Sequence, residues 1–543
     1  MTSAISIPRE PVPLRIAILH GPVPVSGILL HRWNPTGIRA PPLAGPLAVS
    51  GNVTLFPTGT DYRVTNSPTP QNEVSVAINP RSQYNLLASA NDYRGYPGLP
   101  GDGWCGVYTT FDSGRTWIEQ VVPRNGPLTQ VTVSGDPSVA FDADGNGYVT
   151  CLGFSRTAPD NVLAVTKSTD GGRTWGTAVL VEGTTPNVFH DKSYMTVDTT
   201  SGPTRNNVYV TWTRFINGPG ECGSYAAPIY FSRSIDGGLT FSTPMEISSA
   251  GYRCSQGSQP AVGPGGELYV SWVTGTRAVV VRSTDGGLTW GAKTTIPMFP
   301  PPEIYGGSPR TPHFPSIAVN PVNGPGGNRV HVVWADRRFG TADILMSTSE
   351  DGAATWGAKT TIGMNPPPEI YGGSPRAPHF PSIAVNPVNA PGGNRVHVVW
   401  TDRRFGTADI LMSTSEDGAA TWGAPVRVND DPTNAQFYPW VAASETGKVF
   451  VSFYDQRDDP AGRNLTVYVA VSVDFGVSFQ PNRRASVASF DPGNWFIGDY
   501  NGLAASGDFA YPGWCDLRNG GNEEVYIAGP PTLSPRLPRM MIP

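Results

Sequence analysis

An eight-residue pattern occurs seven times in this 543-residue chain, and its spacing limits the folds that the chain can adopt. It reads Ser/Thr-x-Asp-x-Gly-x-Thr/Ser-aromatic, as in STDGGRTW from Ser168, and two copies carry Ala353 and Ala419 in place of the glycine. The aspartates of the seven octets are Asp112, Asp170, Asp236, Asp285, Asp351, Asp417 and Asp474. Recurrence at 49 to 66 residues, without helical spacing, is typical of a propeller or solenoid.

The composition of the octet predicts a tight turn. Asp and Ser side chains bond to nearby backbone groups, and Gly supplies positive φ. The final aromatic residue is expected to point inward and hold the hairpin to its own blade. The octet resembles the Asp-box repeat of bacterial neuraminidases. That resemblance implies a position on the turn between the two outer strands of each propeller blade, and it concerns architecture more than chemistry.

Eight units, each opening with two short alternating strands, follow residue 70. The eighth unit lacks the octet, and a strand within residues 52–65 could complete it and close the ring, which would remove exposed sheet edges. The chain is therefore predicted to be all-β, a propeller of four-stranded antiparallel blades, with eight blades expected and seven the alternative. We predict a Pro-rich arm at 1–48, one propeller domain at 49–530 and a tail at 531–543.

Two units are near copies. Residues 293–357 and 359–423 differ at five positions, which indicates a tandem duplication of one blade. A ring can accept an added blade because each unit packs mainly on its neighbours. The duplicated loops 297–312 and 363–378 are candidates for a surface that binds a protein partner.

Charge and cysteine content narrow the function classes. A net charge of −5 without long runs of one sign disfavours nucleic-acid and membrane-surface roles, and no apolar run reaches transmembrane length.

Of the five cysteines, Cys105 with Cys151 and Cys222 with Cys254 could form disulfide bridges, or all five could be thiols. No spacing suggests a metal site or a cofactor. The N-terminus lacks a clear signal peptide, whereas the Asp-box resemblance implies a secreted or extracytoplasmic protein.

One candidate set follows the second strands and reads aromatic-x-Asp-x-Arg. Arginines converging on a channel mouth could hold a substrate carboxylate by bidentate hydrogen bonds. Alternatively, each Asp–Arg pair holds its own loop or joins neighbouring blades, and the repetition favours this alternative. The arginines are Arg338, Arg404, Arg457 and Arg518.

A second set precedes the first strands and does not repeat. Asp136, Asp191 and the pair Asp499–Tyr500 stand where other units have Phe-Pro or Tyr-Pro. An acid beside the channel could act as general acid or base and a tyrosine as nucleophile; the acids could instead cap loop amides. The run from Asp142 matches the front of a calcium loop, but it lacks the final Glu, and a hairpin turn is favoured.

Sialidases are Asp-box propellers, and the resemblance implies Asp191, Asp499 and Tyr500 as catalytic residues with the four arginines binding substrate. Two features depart from sialidases: the expected Phe/Tyr-Arg-Ile/Leu-Pro signature is absent, and sialidases have six blades. Two hypotheses stay open. The chain is a sialidase-like glycoside hydrolase acting on a glycan or glycoprotein at the channel mouth, or a non-catalytic extracellular propeller that binds glycan or protein there.

Overall fold

The computed structural model describes most of the repeat region. The described residues are 61–65, 67, 69–99, 102–298, 315–320, 328–336, 343–364, 381–386, 393–493, 497, 501–519 and 523–529. Within them the backbone forms strands and one short 3-10 helix at Gly126–Gln130. No helix among these residues has the length and apolar character needed to cross a bilayer.

The first four blades follow one another along the chain. Blade 1 contains β2 (Gln71–Asn79), β3 (Ser82–Asp92), β4 (Trp104–Thr110) and β5 (Ile118–Val121). Blade 2 contains β6 (Val133–Phe141), β7 (Gly147–Phe154), β8 (Asn161–Ser168) and β9 (Val179–Glu182). Blade 3 contains β10 (Val188–Val197), β11 (Val208–Gly220), the extra strand β12 (Gly223–Ala226), β13 (Ile229–Ser234) and β14 (Met245–Glu246). Blade 4 contains β15 (Ser255–Val262), β16 (Leu268–Thr274), β17 (Arg277–Ser283) and β18 (Thr294–Pro297).

The remaining blades repeat the same order. Blade 5 contains β19 (Ser316–Asn320), β20 (Arg329–Asp336), β21 (Asp343–Ser349) and β22 (Thr360–Met364). Blade 6 contains β23 (Ser382–Val385), β24 (Val396–Asp402), β25 (Asp409–Ser415) and β26 (Val426–Arg427). Blade 7 contains β27 (Gln436–Ala443), β28 (Val449–Asp455), β29 (Thr466–Ser472) and β30 (Arg483–Arg484). Blade 8 contains β31 (Gly502–Ser506), β32 (Phe509–Asp516), β33 (Glu524–Ala528) and β1 (Asp61–Arg63).

The N-terminal strand closes the ring. β1 pairs antiparallel with β33, with Asp61 opposite Ala528, so the last blade takes its outer strand from the start of the repeat region. The innermost strands contact one another in sequence, and β31 touches both β27 and β2. The predicted all-β propeller of four-stranded antiparallel blades is therefore confirmed, and the described strands form eight blades rather than seven.

Each octet forms the turn between the third and fourth strands of blades 1 to 7. In blade 2 the Ser168 hydroxyl donates to Asp170 at 2.7 Å and accepts from the Gly172 amide at 2.7 Å. Asp170 also accepts from the Thr174 amide at 2.9 Å. The turn residue has positive φ even where it is Ala353 or Ala419, with φ of 67° and 74°. The octet thus closes on its own side chains, as its composition predicts.

The octets also join neighbouring blades. In blade 1, Asn85 Nδ2 donates to the Gly171 carbonyl of the next octet at 3.0 Å, and Thr109 donates to the Gly172 carbonyl at 2.9 Å. The octet aromatic Trp290 of blade 4 packs edge-on against Phe231 of blade 3, with ring centroids 4.9 Å apart. The octet aromatic residues thus also contact neighbouring blades, whereas Trp117 donates to the Gly114 carbonyl of its own octet at 2.9 Å.

Both cysteine pairs considered from the sequence form disulfides. Cys105 of β4 is bonded to Cys151 of β7 and so links blades 1 and 2. Cys222 is bonded to Cys254, which joins the extended hairpin of blade 3 to the strand entering blade 4. Cys515 is a buried thiol. Covalent links thus reinforce the packing of the first four blades.

The duplicated blades differ at one buried carboxyl group. Asp409 of blade 6 accepts from Asn429 at 2.8 Å and lies 3.3 Å from Arg427. Its copy in blade 5, Asp343, is fully buried, and neither of its carboxyl oxygens has a hydrogen-bond partner among the described residues. Burial raises the pKa of both carboxyls; Asp336 raises that of Asp343 further, whereas Asn429 and Arg427 oppose the rise at Asp409. The copied aspartate therefore lacks the partners that the fourth strand of blade 6 supplies.

These two aspartates form a matched pair of test sites. Asp409→Asn should lower the free energy of unfolding by about 1–3 kcal/mol, because it weakens a buried hydrogen-bonded ion pair. Asp343→Asn should change it by less than about 0.5 kcal/mol or raise it, because no partner is lost. Denaturant unfolding of both variants measures the difference, and equal losses would contradict this account of the duplication.

The octets predict resistance to mild acid. The Thr421 hydroxyl and amide hold the pKa of Asp417 at about 2, below its ordinary 3.8. A depressed folded-state pKa contributes stability above about pH 4 that is lost as the pH falls through 2. Tryptophan fluorescence should show a folded chain down to about pH 4 and unfolding below it, with Asp417→Asn giving a shallower acid limb. Complete unfolding above about pH 5 would refute the prediction.

Candidate functional site

The first strands share a bulge at the rim opposite the octets. In five blades two consecutive residues of the first strand face a single residue of the second strand, and the first of these two residues has positive φ. These residues, called here the bulge ring, are Glu73 (φ 60°), Asp136 (49°), Lys192 (49°), Gly257 (70°) and Tyr438 (63°). Antiparallel pairing places the starts of the first strands and the octets at opposite ends of each blade.

Positive φ costs a non-glycine residue about 1–3 kcal/mol. Only blade 4 uses glycine at the bulge ring among the five blades, and blades 1 to 3 carry Glu73, Asp136 and Lys192 instead. Bulges re-aim side chains and are concentrated beside active sites. Three neighbouring blades thus hold ionisable side chains in a costly backbone conformation at one mouth of the ring.

The three ionisable residues meet. Lys192 Nζ lies 3.6 Å from Glu73 Oε1, and the Lys192 amide donates to Asp136 Oδ2 at 3.4 Å. Glu73, Asp136 and Lys192 are 0%, 3% and 4% exposed. A buried charge needs a partner of opposite sign, and Lys192 provides one for Glu73. We call these three residues the mouth cluster.

Two asparagines extend the mouth cluster into blade 8. Asn91 Nδ2 donates to Glu73 Oε2 at 2.9 Å and to Asn72 Oδ1 at 3.2 Å, and Asn72 Nδ2 donates to Glu523 Oε2 at 2.7 Å. Burial, aided by the charge of Glu73, raises the pKa of Glu523 to about 8. Burial and then Glu523 and Glu73 raise the pKa of Tyr93 well above its ordinary value. The Glu523 carboxyl and the Tyr93 phenol are therefore mainly protonated at neutral pH.

Of the predicted catalytic residues, the described part of the chain contains Asp191. It is fully buried beside Lys192 in the chain, and its Oδ2 accepts from Gln256 Nε2 at 2.8 Å. Gln256 in turn accepts from Thr213 and from the Gly257 amide, so Asp191 is tied to blade 4. Asp499 and Tyr500 lie outside the described residues, as does Arg338.

The three described arginines each contact the aspartate two residues earlier. Arg404 Nη2 lies 2.7 Å from Asp402, and Arg457 Nη2 lies 2.7 Å from Asp455. Arg518 contacts Asp516 at 2.5 Å and also Asp61 of β1 at 2.6 Å. Each guanidinium is thus engaged by its own blade at the mouth rim. Their predicted role in binding a substrate carboxylate remains a hypothesis.

The calcium-like run forms a hairpin turn between β6 and β7. Asp142 Oδ1 accepts from the Asp144 and Asn146 amides at 2.9 Å each, and Asp144 pairs with Arg205 at 2.7 Å. A carboxylate held by arginine is not a free cation ligand. In the described ranges, no group of three or more His, Cys, Asp or Glu side chains is arranged to hold a metal ion.

Sequence reasoning assigned no role to Glu73, Lys192 or Glu523. Glu73 and Lys192 stand where most later units have an aromatic residue before Pro, so the break in the unit pattern could have identified both. Glu523 reaches Asn72 across 451 residues of chain, and no local pattern signals that contact. His190, beside Asp191, is fully buried, and burial lowers its pKa to about 3, so its ring is neutral.

No model of a known protein family matches this chain, and no curated protein matches it. Similar solved structures include a protein of unknown function from Dyadobacter fermentans, with 14% identity, 73% of this chain and 94% of that chain covered, and a TM-score of 0.36. The Hadza microbial sialidase Hz136 shows 16% identity over 68% of this chain and 73% of its own, with a TM-score of 0.36. A polysaccharide lyase of family PL25, an ulvan lyase, shows 11% identity over 87% and 96%, with a TM-score of 0.41.

The charge pairing of the mouth cluster can be measured. Lys192→Met should lower the free energy of unfolding by about 3 kcal/mol, because it leaves Glu73 buried without its cation. Adding Glu73→Gln should restore part of that loss, which gives a coupling energy in a double-mutant cycle. Lys448→Met is the control, since Lys448 pairs with the exposed Asp508 and should matter little. Equal losses for both lysines would contradict a buried pair.

Proposed function

We propose that this propeller hydrolyses glycosidic bonds at the mouth cluster. The observation that carries the proposal is the convergence of Glu73, Asp136 and Lys192 from three neighbouring blades in left-handed backbone conformations. Glycoside hydrolysis generally uses two carboxyl groups, one to protonate the leaving oxygen and one to stabilise or attack the sugar. The cluster supplies carboxyl groups from two blades and a cation that holds one of them ionised.

The chemistry assigns different tasks to these residues. Glu73, beside Lys192, serves as the anionic carboxylate that faces the developing positive charge on the sugar. Asp136 is the second carboxyl group and acts as general acid or base. Lys192 orients both, through its ammonium group and its backbone amide.

The sialidase form of the proposal is more specific. It assigns Asp191, Asp499 and Tyr500 to catalysis and Arg338, Arg404, Arg457 and Arg518 to the substrate carboxylate. The burial of Asp191 beside Lys192 supports a role for Asp191 at this mouth. Sialoside binding would require the arginines to give up bonds to their own aspartates, so a sialic acid substrate has less support than glycoside hydrolysis in general.

The second candidate is a non-catalytic propeller that binds glycan or protein. The ion pairs of Asp402, Asp455 and Asp516 with their own arginines favour it, because they make the rim a rigid surface.

In either case we propose a glycan or glycoprotein partner and an extracytoplasmic location, since two disulfides suit an oxidising compartment. A protein partner at loops 297–312 and 363–378 stays a hypothesis, as those loops lie largely outside the described residues.

A panel of fluorogenic glycosides that includes a sialoside tests the proposal. The wild-type chain should cleave at least one glycoside, and Glu73→Gln or Asp136→Asn should reduce kcat by about 10²–10⁴-fold. Asp144→Asn, on the opposite rim, should leave turnover unchanged. Sialoside cleavage that Tyr500→Phe abolishes would support the sialidase form. Glycan binding without any turnover would favour the scaffold and end the hydrolase proposal.

A further inference from the structure

The octet repeat does not explain the hydrogen bond between Glu523 and Asn72 of blade 1, and the proposed glycoside hydrolysis assigns no role to Glu523. Asn72 and Asn91 connect the Glu523 carboxyl to the Glu73 carboxyl by three hydrogen bonds of 2.7, 3.2 and 2.9 Å. Every step is a side-chain amide N–H donating to an oxygen, so the two amides have fixed orientations. Asn91 Oδ1 also accepts from the Asp136 amide of blade 2 at 2.7 Å. We call the hydrogen-bonded chain from Glu523 through Asn72 and Asn91 to Glu73 the relay.

The groups around Glu523 are predominantly acidic. Glu73 lies on β2, Tyr93 follows β3, Cys515 and Asp516 lie on β32, and Glu524 is the next residue on β33. The charge of Asp136 acts on Tyr93. Lys192 of β10 is a cation that contacts Glu73. Ionised Glu73, Asp136 and Glu523 would repel one another in a buried site, which favours the neutral form of one of them.

We propose that Glu523 is a proton-holding positioning residue, which stays neutral while Glu73 is ionised and, through Asn72 and Asn91, fixes the Glu73 carboxylate for the reaction at the mouth cluster. The regulatory part rests on the proposed hydrolase function, whereas the protonation state of Glu523 does not. Burial raises the pKa of Glu523 to about 8, in agreement with the geometry. Loss of this proton in mild alkali adds a second negative charge to the relay and weakens the site.

The sign of the pH effect follows from linkage. The folded-state pKa of Glu523 lies above its ordinary value of 4.5. The stability that Glu523 contributes is therefore complete below about pH 4.5. The folding equilibrium constant then falls by about tenfold per pH unit until the pH passes about 8. Glu523→Gln carries a permanently neutral side chain of the same shape and should remove this dependence.

The experiment compares Glu523→Gln with Glu416→Gln, which removes an exposed carboxyl that pairs with Arg395. Burial also raises the pKa of the neighbouring Glu524, to about 7, so part of the alkaline loss belongs to that residue. Denaturant unfolding between pH 5 and pH 9 should show the same alkaline loss in wild type and in Glu416→Gln and a clearly smaller loss in Glu523→Gln. Infrared difference spectra of the wild-type chain should show a protonated carboxyl band that titrates near pH 8 and is absent in Glu523→Gln. Equal pH dependence in wild type and Glu523→Gln overturns the proposal.

The infrared titration of the wild-type chain decides the matter even if Glu523→Gln does not fold, since absence of the band refutes a neutral Glu523. An activity arm then tests the regulation. With a hydrolysed glycoside, kcat should fall above about pH 8 in wild type and in Glu416→Gln and stay level in Glu523→Gln. A band without any hydrolysis refutes the hydrolase function alone, whereas hydrolysis without the band refutes the role of Glu523 alone.

Discussion

Closure of the ring is the constraint on which the rest of the structure depends. Without β1 the last blade would have three strands and β33 would be its unpaired outer edge. The pairing of β1 with β33 completes that blade and joins the start of the repeat region to its end. The seam is reinforced by charge, since Asp61 of β1 contacts Arg518 and Arg63 contacts Glu524. The same closure brings the first residues of β33 beside the start of β2, so the hydrogen bond between Glu523 and Asn72 exists only in the closed ring.

Stability and chemistry occupy opposite rims of the ring. At one rim the octets satisfy their own amides and lend carbonyls to the preceding blade, and their aromatic residues fill the space between blades. At the other rim the first strands bulge, and their residues adopt positive φ. The hydrogen bonds and aromatic packing of the octets hold the blades together at the octet rim. The mouth rim can therefore contain strained backbone and buried charge.

The sequence predicts the architecture well because the octet is local. Its hydrogen bonds join residues two or four positions apart, so the seven copies identify seven turns between third and fourth strands from the sequence alone. The closing strand could be predicted too, because the last unit lacks an octet and therefore needs its fourth strand from elsewhere. The mouth cluster could be predicted only in part. Its residues break the unit pattern, as Asp136 does, but the contacts among them join distant parts of the chain, and left-handed backbone at an acidic residue leaves no periodic signature. The arginines after the second strands repeat, and repetition correctly suggested the pairs with their own aspartates that the structure contains.

The ionisable residues of the mouth lie away from the duplicated blades. Blades 1 to 3 and the start of β33 contribute Glu73, Asp136, Lys192 and Glu523, which lie next to one another around the closure seam. Blades 5 and 6 are consecutive members of the remaining arc, and by sequence count they carry phenylalanine two residues ahead of β19 and β23, where blade 1 carries Glu73. A blade inserted there changes the circumference of the ring but none of the direct contacts among the ionisable residues. Because neighbours pack mainly on neighbours, the copied blade could be accepted with a partnerless Asp343 while the opposite arc kept its hydrogen-bonded relay.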